Sequence, residues 1–553
     1  MTNPTIKIKT GLVEGLYQKS IAVFKGVPYA KPPVGDLRWR PPQPAEPWSG
    51  TFKAHKFGPA AYQRGAEMLQ FVNSLVKGQG MSWFKRTLIL LLVKYGPKPK
   101  QSEDCLTLTV RSPELKPAEK LPVMVFIHGG AHQDGGSHEL LYDTNTLPEK
   151  GVITVIFNYR LGLMGFFAHP DLSAESEHGV SGNYGMLDQI LALQWVQDNI
   201  EAFGGNPDNV TIFGESAGGE SVLHLMCSPL ADGLFHKAIA QSPATAAQLQ
   251  YLKKPFFVHD SAEQQGINFA KRAGVTGLNP IEQLRAMSAA DIRKIVITGH
   301  GPDGNFYPVI DGYTLPKSTF ETFQDGEQAH VPFLIGSNEH ESSLFSPMFD
   351  AVLMEYADRE HPESGLPDYM AEEYEDDLDR LLELYPGLEN HEPAVTSLFQ
   401  GDSLFGAAVR FYTSEMAKSS PEPVFLYQFR RQSPLPNQTA GAFHAAELPF
   451  VFGALNSPVM PTTEEDKPLA EAMQTYWTNF AKSGNPNGLE LVDWAEFTDD
   501  APSWMVFNVD KVGVRPIEIE EKYGIFRRRL QKYIDLMREG ETEPPANEVV
   551  AAD

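Results

Sequence analysis

Six short runs rich in β-branched and aromatic residues constrain this chain more than any other feature: LPVMVFIH from Leu121, GVITVIFNYR from Gly151, NVTIFGES from Asn209, KAIAQS from Lys237, VPFLIGSN from Val331 and PVFLYQF from Pro423. Each is apolar at successive rather than alternate positions. Both faces must therefore be covered, which is the condition of a strand inside a parallel sheet. Between the runs lie helical patterns such as YGMLDQILALQWVQDNI, Tyr184 to Ile200, whose apolar residues recur at three and four. Strands alternating with helices specify an α/β protein with a central, mostly parallel sheet flanked by helices. No internal repeat or Gly/Ser linker divides the 553 residues. A single domain is expected over 1–538, with helical insertions at 68–102 and 350–400, and 539–553 is expected to be a disordered tail.

Composition excludes several classes. Asp and Glu exceed Lys and Arg by 71 to 46, a net charge of −25 that opposes binding to a polyanion, so nucleic acid is not an expected partner. Two cysteines, Cys105 and Cys227, allow at most one disulfide and no four-thiolate metal site. The longest apolar run, Leu88 to Val93, has six residues, against the roughly 20 that span a bilayer. The opening text, MTNPTIKIKTGLVEG, holds no apolar run of the signal-peptide kind. A soluble, cytoplasmic protein is expected.

Two segments depart from the average. From Glu355 to Glu389, thirteen acids face only Arg359 and Arg380, the pattern of a solvated helix face. From Met68 to Ser102 there is no acid, but six cations: Lys77, Lys85, Arg86, Lys94, Lys98 and Lys100. Met68, Leu69, Val72, Leu75 and Val76 make one helical stripe there, Gly78-Gln79-Gly80 breaks it, and Trp83, Phe84 and Leu88 to Val93 make a second. An apolar, basic helical hairpin is expected, acting as a lid that lines an apolar site; docking on an anionic lipid surface is the less favoured alternative.

Gly214-Glu215-Ser216-Ala217-Gly218 follows the run NVTIF and precedes a helical pattern. A bare G-x-S-x-G arises by chance about 0.2 times in a chain of this length, so its weight comes from its place between strand and helix. There the glycines permit a sharp turn that exposes the serine hydroxyl, and the helix N-terminus directs N–H groups at a developing oxyanion. His128-Gly129-Gly130-Ala131, at the end of LPVMVFIH, supplies further N–H donors from Gly130 and Ala131. A metal reading of His128, His132 and His138 fails because the glycine pair disfavours the helix that would bring the rings together. A serine needs a base and an orienting carboxylate; on a hydrolase sheet these follow in the order acid, then histidine, past successive strands. The loop after VPFLIG offers Glu339 and Glu341, and the loop after PVFLYQF carries His444 in GAFHAAELPFVFG.

These motifs, with FKGVPYAKPPVGDLRWRPP, SEDCLTLTV, NYRLGLMGF, GNYGMLDQ, GLFHKAIAQS, PVIDG and YWTNFAKSGNPN, identify the chain by resemblance as a type B carboxylesterase from about Thr10 to Trp494. The resemblance implies an α/β-hydrolase fold with helical lid insertions and no metal or organic cofactor. It implies two-step acyl transfer on a small-molecule ester, with Ser216 as nucleophile, His444 as base, and Gly130, Ala131 and Ala217 as oxyanion donors. The family's acid sits in an Asp-Glu-Gly triplet, which aligns with His340-Glu341-Ser342 and selects Glu341 over Glu339. Small or medium lipophilic esters are the expected substrates, with lipase-like or thioesterase activity on longer acyl chains as the alternative. A non-catalytic binding relative is set aside because the triad residues are all present. The cysteine that pairs with Cys105 in the family is replaced by Ala61, which leaves a free buried thiol expected at Cys105 and another at Cys227. Glu103 and Asp104, with Arg38, Arg40 and Arg160, are expected to form structural ion pairs. Glu215 either biases the field beside Ser216 or stabilises the turn.

Overall fold

The computed structural model describes residues 2–63, 66–96, 98–244, 250–256, 260–298, 305–345, 370, 373–517 and 520–539. The 539–553 tail, beyond Glu539, and most of the 346–372 stretch lie outside the described residues. The main sheet has eleven strands: β1 (Leu16–Gln18), β2 (Ile21–Pro28), β3 (Thr107–Ser112), β4 (Leu121–Ile127), β5 (Ile153–Phe157), β6 (Gly205–Glu215), β7 (Lys237–Gln241), β8 (Phe333–Asn338), β9 (Val424–Phe429), β10 (Ser503–Phe507) and β11 (Gly513–Pro516). Their spatial order is β11-β10-β9-β8-β7-β6-β4-β5-β3-β2-β1. All pairings from β5 through β4 to β10 are parallel, and the antiparallel ones lie at the two edges.

The six runs read from sequence form β4 to β9, and β5, β7, β8 and β9 bury every residue. β3 was legible only as part of a family motif, because TLTVRS alternates polar residues with apolar ones; it is nevertheless wholly buried, its Arg111 paired with Asp143. Helices α1 (Ala66–Gly78) and α2 (Trp83–Tyr95) form the expected hairpin, while α3 (Tyr184–Asn199), α4 (Ala217–Cys227) and α5 (Asp466–Ser483) flank the sheet. Helix α3 is apolar nearly all round and is buried accordingly. At its first turns Asp188 takes a bidentate contact from Arg160, at 2.8 and 2.7 Å. Arg160 therefore serves Asp188 rather than Glu103; Arg38 pairs with Glu103 at 2.5 and 2.7 Å, and Arg40 with Glu175. Asp104 is exposed, with its N–H donated to Ser102. Trp195 and Trp477 are buried in the core, and both cysteines are free and buried.

The hairpin turns at Gly80, whose φ of +71° and close approach to the Asn437 backbone both require glycine. Ser82 then caps α2 by accepting the Lys85 N–H. Val72, Val76, Met81 and Ile89 close a small core between the helices, and Leu75 joins the larger core with Leu344 and Ala440. The second stripe does not pack as one unit. A continuous apolar run places apolar groups all round a helix, and only the Ile89 side faces α1; Trp83, Phe84, Leu88, Leu91 and Leu92 are exposed. The acidic stretch also differs from a merely solvated face. Three of its described acids pair with the C-terminal helix α6 (Glu520–Glu539): Asp377 with Arg528 at 2.6 Å, Glu375 with Lys532 at 3.0 Å, and Glu373 with Arg529. No helix among the described residues is long and apolar enough to cross a membrane.

Candidate active site

Ser216 stands between β6 and α4 with φ +58° and ψ −126°, a backbone conformation that costs a non-glycine residue about 1–3 kcal/mol. Its neighbours show why the motif needs glycine. A Cβ on Gly214 would lie 2.3 Å from the Gly218 carbonyl oxygen, and one on Gly218 would lie 2.0 Å from that of Ile127. The turn is pinned from the next strand, where the Ser216 N–H donates to the Gln241 carbonyl at 2.9 Å. Ser242, just beyond, has φ +46°.

The His128–Ala131 loop lies against this turn. A Cβ on Gly129 would come within 3.1 Å of the Ser216 Cβ, so any side chain there would crowd the serine. Gly130, Ala131 and His132 all have positive φ, at 103°, 52° and 55°, and the Gly130 carbonyl accepts from the N–H groups of Gln133 and Asp134. His132 donates from Nε2 to Glu220 on α4 at 3.2 Å, which ties the loop to the helix that begins beside Ser216. His128 stacks on Tyr159 at 4.5 Å, and burial lowers its pKa to about 4, so it is a neutral ring. Among the described residues, no cluster of three or more His, Cys, Asp or Glu side chains is arranged to hold a metal ion.

Glu341 and His444, 103 positions apart, meet: His444 Nδ1 donates to Glu341 Oε2 at 2.6 Å. Because a carboxylate can only accept, Nδ1 carries the proton of this contact and Nε2 is the ring's other nitrogen, on the side of Glu215 next to Ser216. The loops that carry the pair are stitched together by a parallel bridge between His340 and Phe443, where the His340 N–H donates to the Ala442 carbonyl at 2.9 Å. His340 thus has a role in the loop that departs from the family triplet, its Nδ1 accepting the Ala442 N–H. Glu339 turns away toward Arg430, 3.5 Å from its Nε.

Three polar residues beside the Glu341 and His444 pair were not assigned to the site from sequence. Asn338 donates its N–H to Glu341 Oε1 at 2.6 Å and its Nδ2 to Glu447 at 2.7 Å and to the Phe443 carbonyl at 2.8 Å. Glu447, fully buried, also accepts from Gln241 Nε2 at 2.9 Å, and the Gln241 side-chain oxygen accepts from Trp477. The signal was their position, since Asn338 and Gln241 end buried strands and Glu447 lies three residues past His444. A buried polar group at a strand end needs partners, and those partners are one another.

Glu215 Oε1 lies 3.1 Å from His444 Nε2, at ion-pair distance without hydrogen-bond alignment. Burial, with Glu447 and Glu341 nearby, pushes the Glu215 carboxyl up to about 8 against the opposing pull of His444. Burial disfavours a charged His444, but the carboxylates of Glu215 and Glu341 outweigh it and lift the ring to about 9. Burial also raises Glu447. Around His444 stand Phe345, at 5.3 Å between centroids, and Phe405, at 4.9 Å. Phe405 is delivered by a π-helical turn over Asp402–Gly406. Phe345 in turn stacks on Phe71 of α1 at 5.7 Å, so the hairpin's inner helix joins the wall of this site.

The chain as a whole resembles known proteins over most of its length. The model of the Carboxylesterase family matches residues 2–525. The para-nitrobenzyl esterase of Bacillus subtilis is 35% identical over 541 residues, covering 95% of this chain and 99% of its own. A fatty acyl-CoA hydrolase precursor, medium chain, of Anas platyrhynchos is 35% identical over 507 residues, 87% of this chain and 84% of its own. The crystal structure of the Geobacillus stearothermophilus carboxylesterase superposes with a TM-score of 0.75 at 28% identity, covering 94% of this chain and 99% of that one.

Proposed function

From the chain's membership of the carboxylesterase family, and hence its activity as a carboxylic ester hydrolase, we propose that it works by two-step acyl transfer through Ser216, His444 and Glu341. Ser216 Oγ attacks the ester carbonyl while His444 Nε2 takes its proton, then returns it to the departing alcohol. Water, activated by the same ring, releases the acid. Glu341 holds the tautomer that leaves Nε2 free. The observation that carries this reading is the 2.6 Å contact from His444 Nδ1 to Glu341, on loops beside the strained Ser216 turn. The oxyanion is assigned to the N–H groups of Gly130, Ala131 and Ala217, the first two on the loop whose Gly129 abuts Ser216 and the third at the first position of α4.

Small and medium lipophilic esters suit the wall of Phe345, Phe405 and Phe71, with α1 as the fixed edge of a lid. A second reading, hydrolysis of longer acyl chains including thioesters, is favoured by the same apolar wall and by the name of the Anas platyrhynchos relative; a panel of esters and thioesters of increasing acyl length ranks the two. The two unpaired buried thiols fit a reducing, cytoplasmic setting. In the primary test, Ser216→Ala loses turnover of a chromogenic ester and labelling by an organophosphate while its circular dichroism is unchanged. Wild-type turnover by that variant would defeat the mechanism.

A further inference from the structure

We propose that the outer face of α2 docks the protein on an anionic phospholipid surface. Sixteen large apolar residues are exposed among the described ones, and six of them fall on this one helix of 13 residues: Trp83, Phe84, Leu88, Leu91, Leu92 and Tyr95. Trp83, Phe84 and Tyr95 are 76%, 73% and 72% exposed, more than chance leaves to isolated surface aromatics on a packed fold. The positions follow helical spacing and form one face opposite Ile89, which is buried against α1.

The composition of that face matches an interface: Trp83 and Tyr95 carry amphipathic rings of the kind that favour the headgroup level, and Phe84 with three leucines supplies the apolar surface that enters the acyl boundary. At 13 residues and about 1.5 Å per residue the helix is roughly 20 Å long, too short to cross a bilayer and long enough to lie in its surface. Charge selects the lipid. Lys85 and Lys94 are exposed on α2, Lys98 and Lys100 are exposed just beyond it, and no Asp or Glu occurs from 68 to 102 in a chain of net charge −25. A second copy seated on this face would bring two sets of these cations together, whereas anionic headgroups neutralise them. The acidic remainder of the chain is screened beyond a Debye length of about 8 Å at physiological salt. Beneath the docked helix, α1 leads through Phe71 and Phe345 to His444, which gives esters dissolved in the lipid a short approach. That last step rests on the proposed mechanism; the docking does not.

The test is co-sedimentation of the full chain with vesicles of phosphatidylcholine mixed with phosphatidylglycerol, and with phosphatidylcholine alone. Wild type should sediment with the mixed vesicles and far less with the neutral ones. Lys85→Gln with Lys94→Gln should weaken binding by about fivefold per cation removed. Trp83→Ser with Leu91→Ser and Leu92→Ser should abolish it, because the apolar surface that enters the lipid is removed. All five side chains are exposed, and both variants should hydrolyse a soluble short-chain ester at the wild-type rate. Ser216→Ala should bind vesicles as wild type does, so failure of the mechanism and failure of docking are read separately. Equal sedimentation of wild type and the serine triple variant overturns the proposal, as does no binding to the mixed vesicles. A wild-type dimer that becomes a lipid-indifferent monomer in the triple variant assigns the face to a second copy instead.

Discussion

At the scale of single residues, the choice between Glu339 and Glu341 turns on direction. Glu341 is buried and accepts from both His444 and the Asn338 N–H, whereas Glu339 reaches outward to Arg430. Glu341→Gln keeps the shape but offers His444 the wrong hydrogen-bond partner, so kcat should fall by about 10⁴-fold. Glu339→Gln should stay near wild type, and steady-state kinetics of the two variants distinguish them. Glu215 has a different effect. The proposed acyl transfer needs a neutral His444, and the ring is lifted to about 9 with Glu215 as its largest favourable influence. Activity should therefore climb with pH through the titration of the ring. Glu215→Gln removes the raising charge, lowers that pKa and moves the acidic limb of kcat/KM to lower pH; a limb that stays in place refutes the coupling. Glu215 ends β6 at the turn and lies 3.1 Å from His444 Nε2.

At the scale of elements, the strands that carry the site were legible because burial on both faces leaves an unbroken apolar run. Strand β3 was legible only through the family motif, since its polar residues are satisfied inside the protein, where a periodicity argument expects them outside. Helix α2 misled in the opposite sense: an apolar run read as a packed stripe turned out to be packed on one side only. The polar triad of Asn338, Gln241 and Glu447 escaped because nothing in a single sequence says which strand ends are adjacent. A similar long-range pair sets the start of α5, where Arg431 makes two 2.7 Å contacts with Asp466 and Asp466 accepts the Thr463 N–H. Arg431→Met leaves Asp466 buried and uncompensated at the helix N-terminus, and should cost about 3–5 kcal/mol. A denaturant midpoint that does not move would contradict this.

For the whole molecule, charge is organised rather than spread. Glu373, Glu375 and Asp377 pair with cations of α6, and Arg380 pairs with Glu521 of the same helix, while the hairpin keeps its cations free of acidic neighbours in sequence. Neither cysteine is bonded and both are buried; burial raises both thiols well above their ordinary value. A thiol reagent should find no reactive group in the native protein and two after full denaturation without reductant, whereas none after denaturation would reveal a disulfide. The bridge between His340 and Phe443 has a mechanical meaning as well. It links the loop after β8 to the loop that carries His444, so Glu341 and His444 are held to each other while Ser216 sits on the β6–α4 turn. Strain arriving from the far edge of the sheet then shifts the proton-accepting unit as a whole. Under the proposed mechanism this changes both the reach to Ser216 and, because Glu215 sits on the same turn, the pull on the ring, so turnover and the acidic limb of the pH profile shift together.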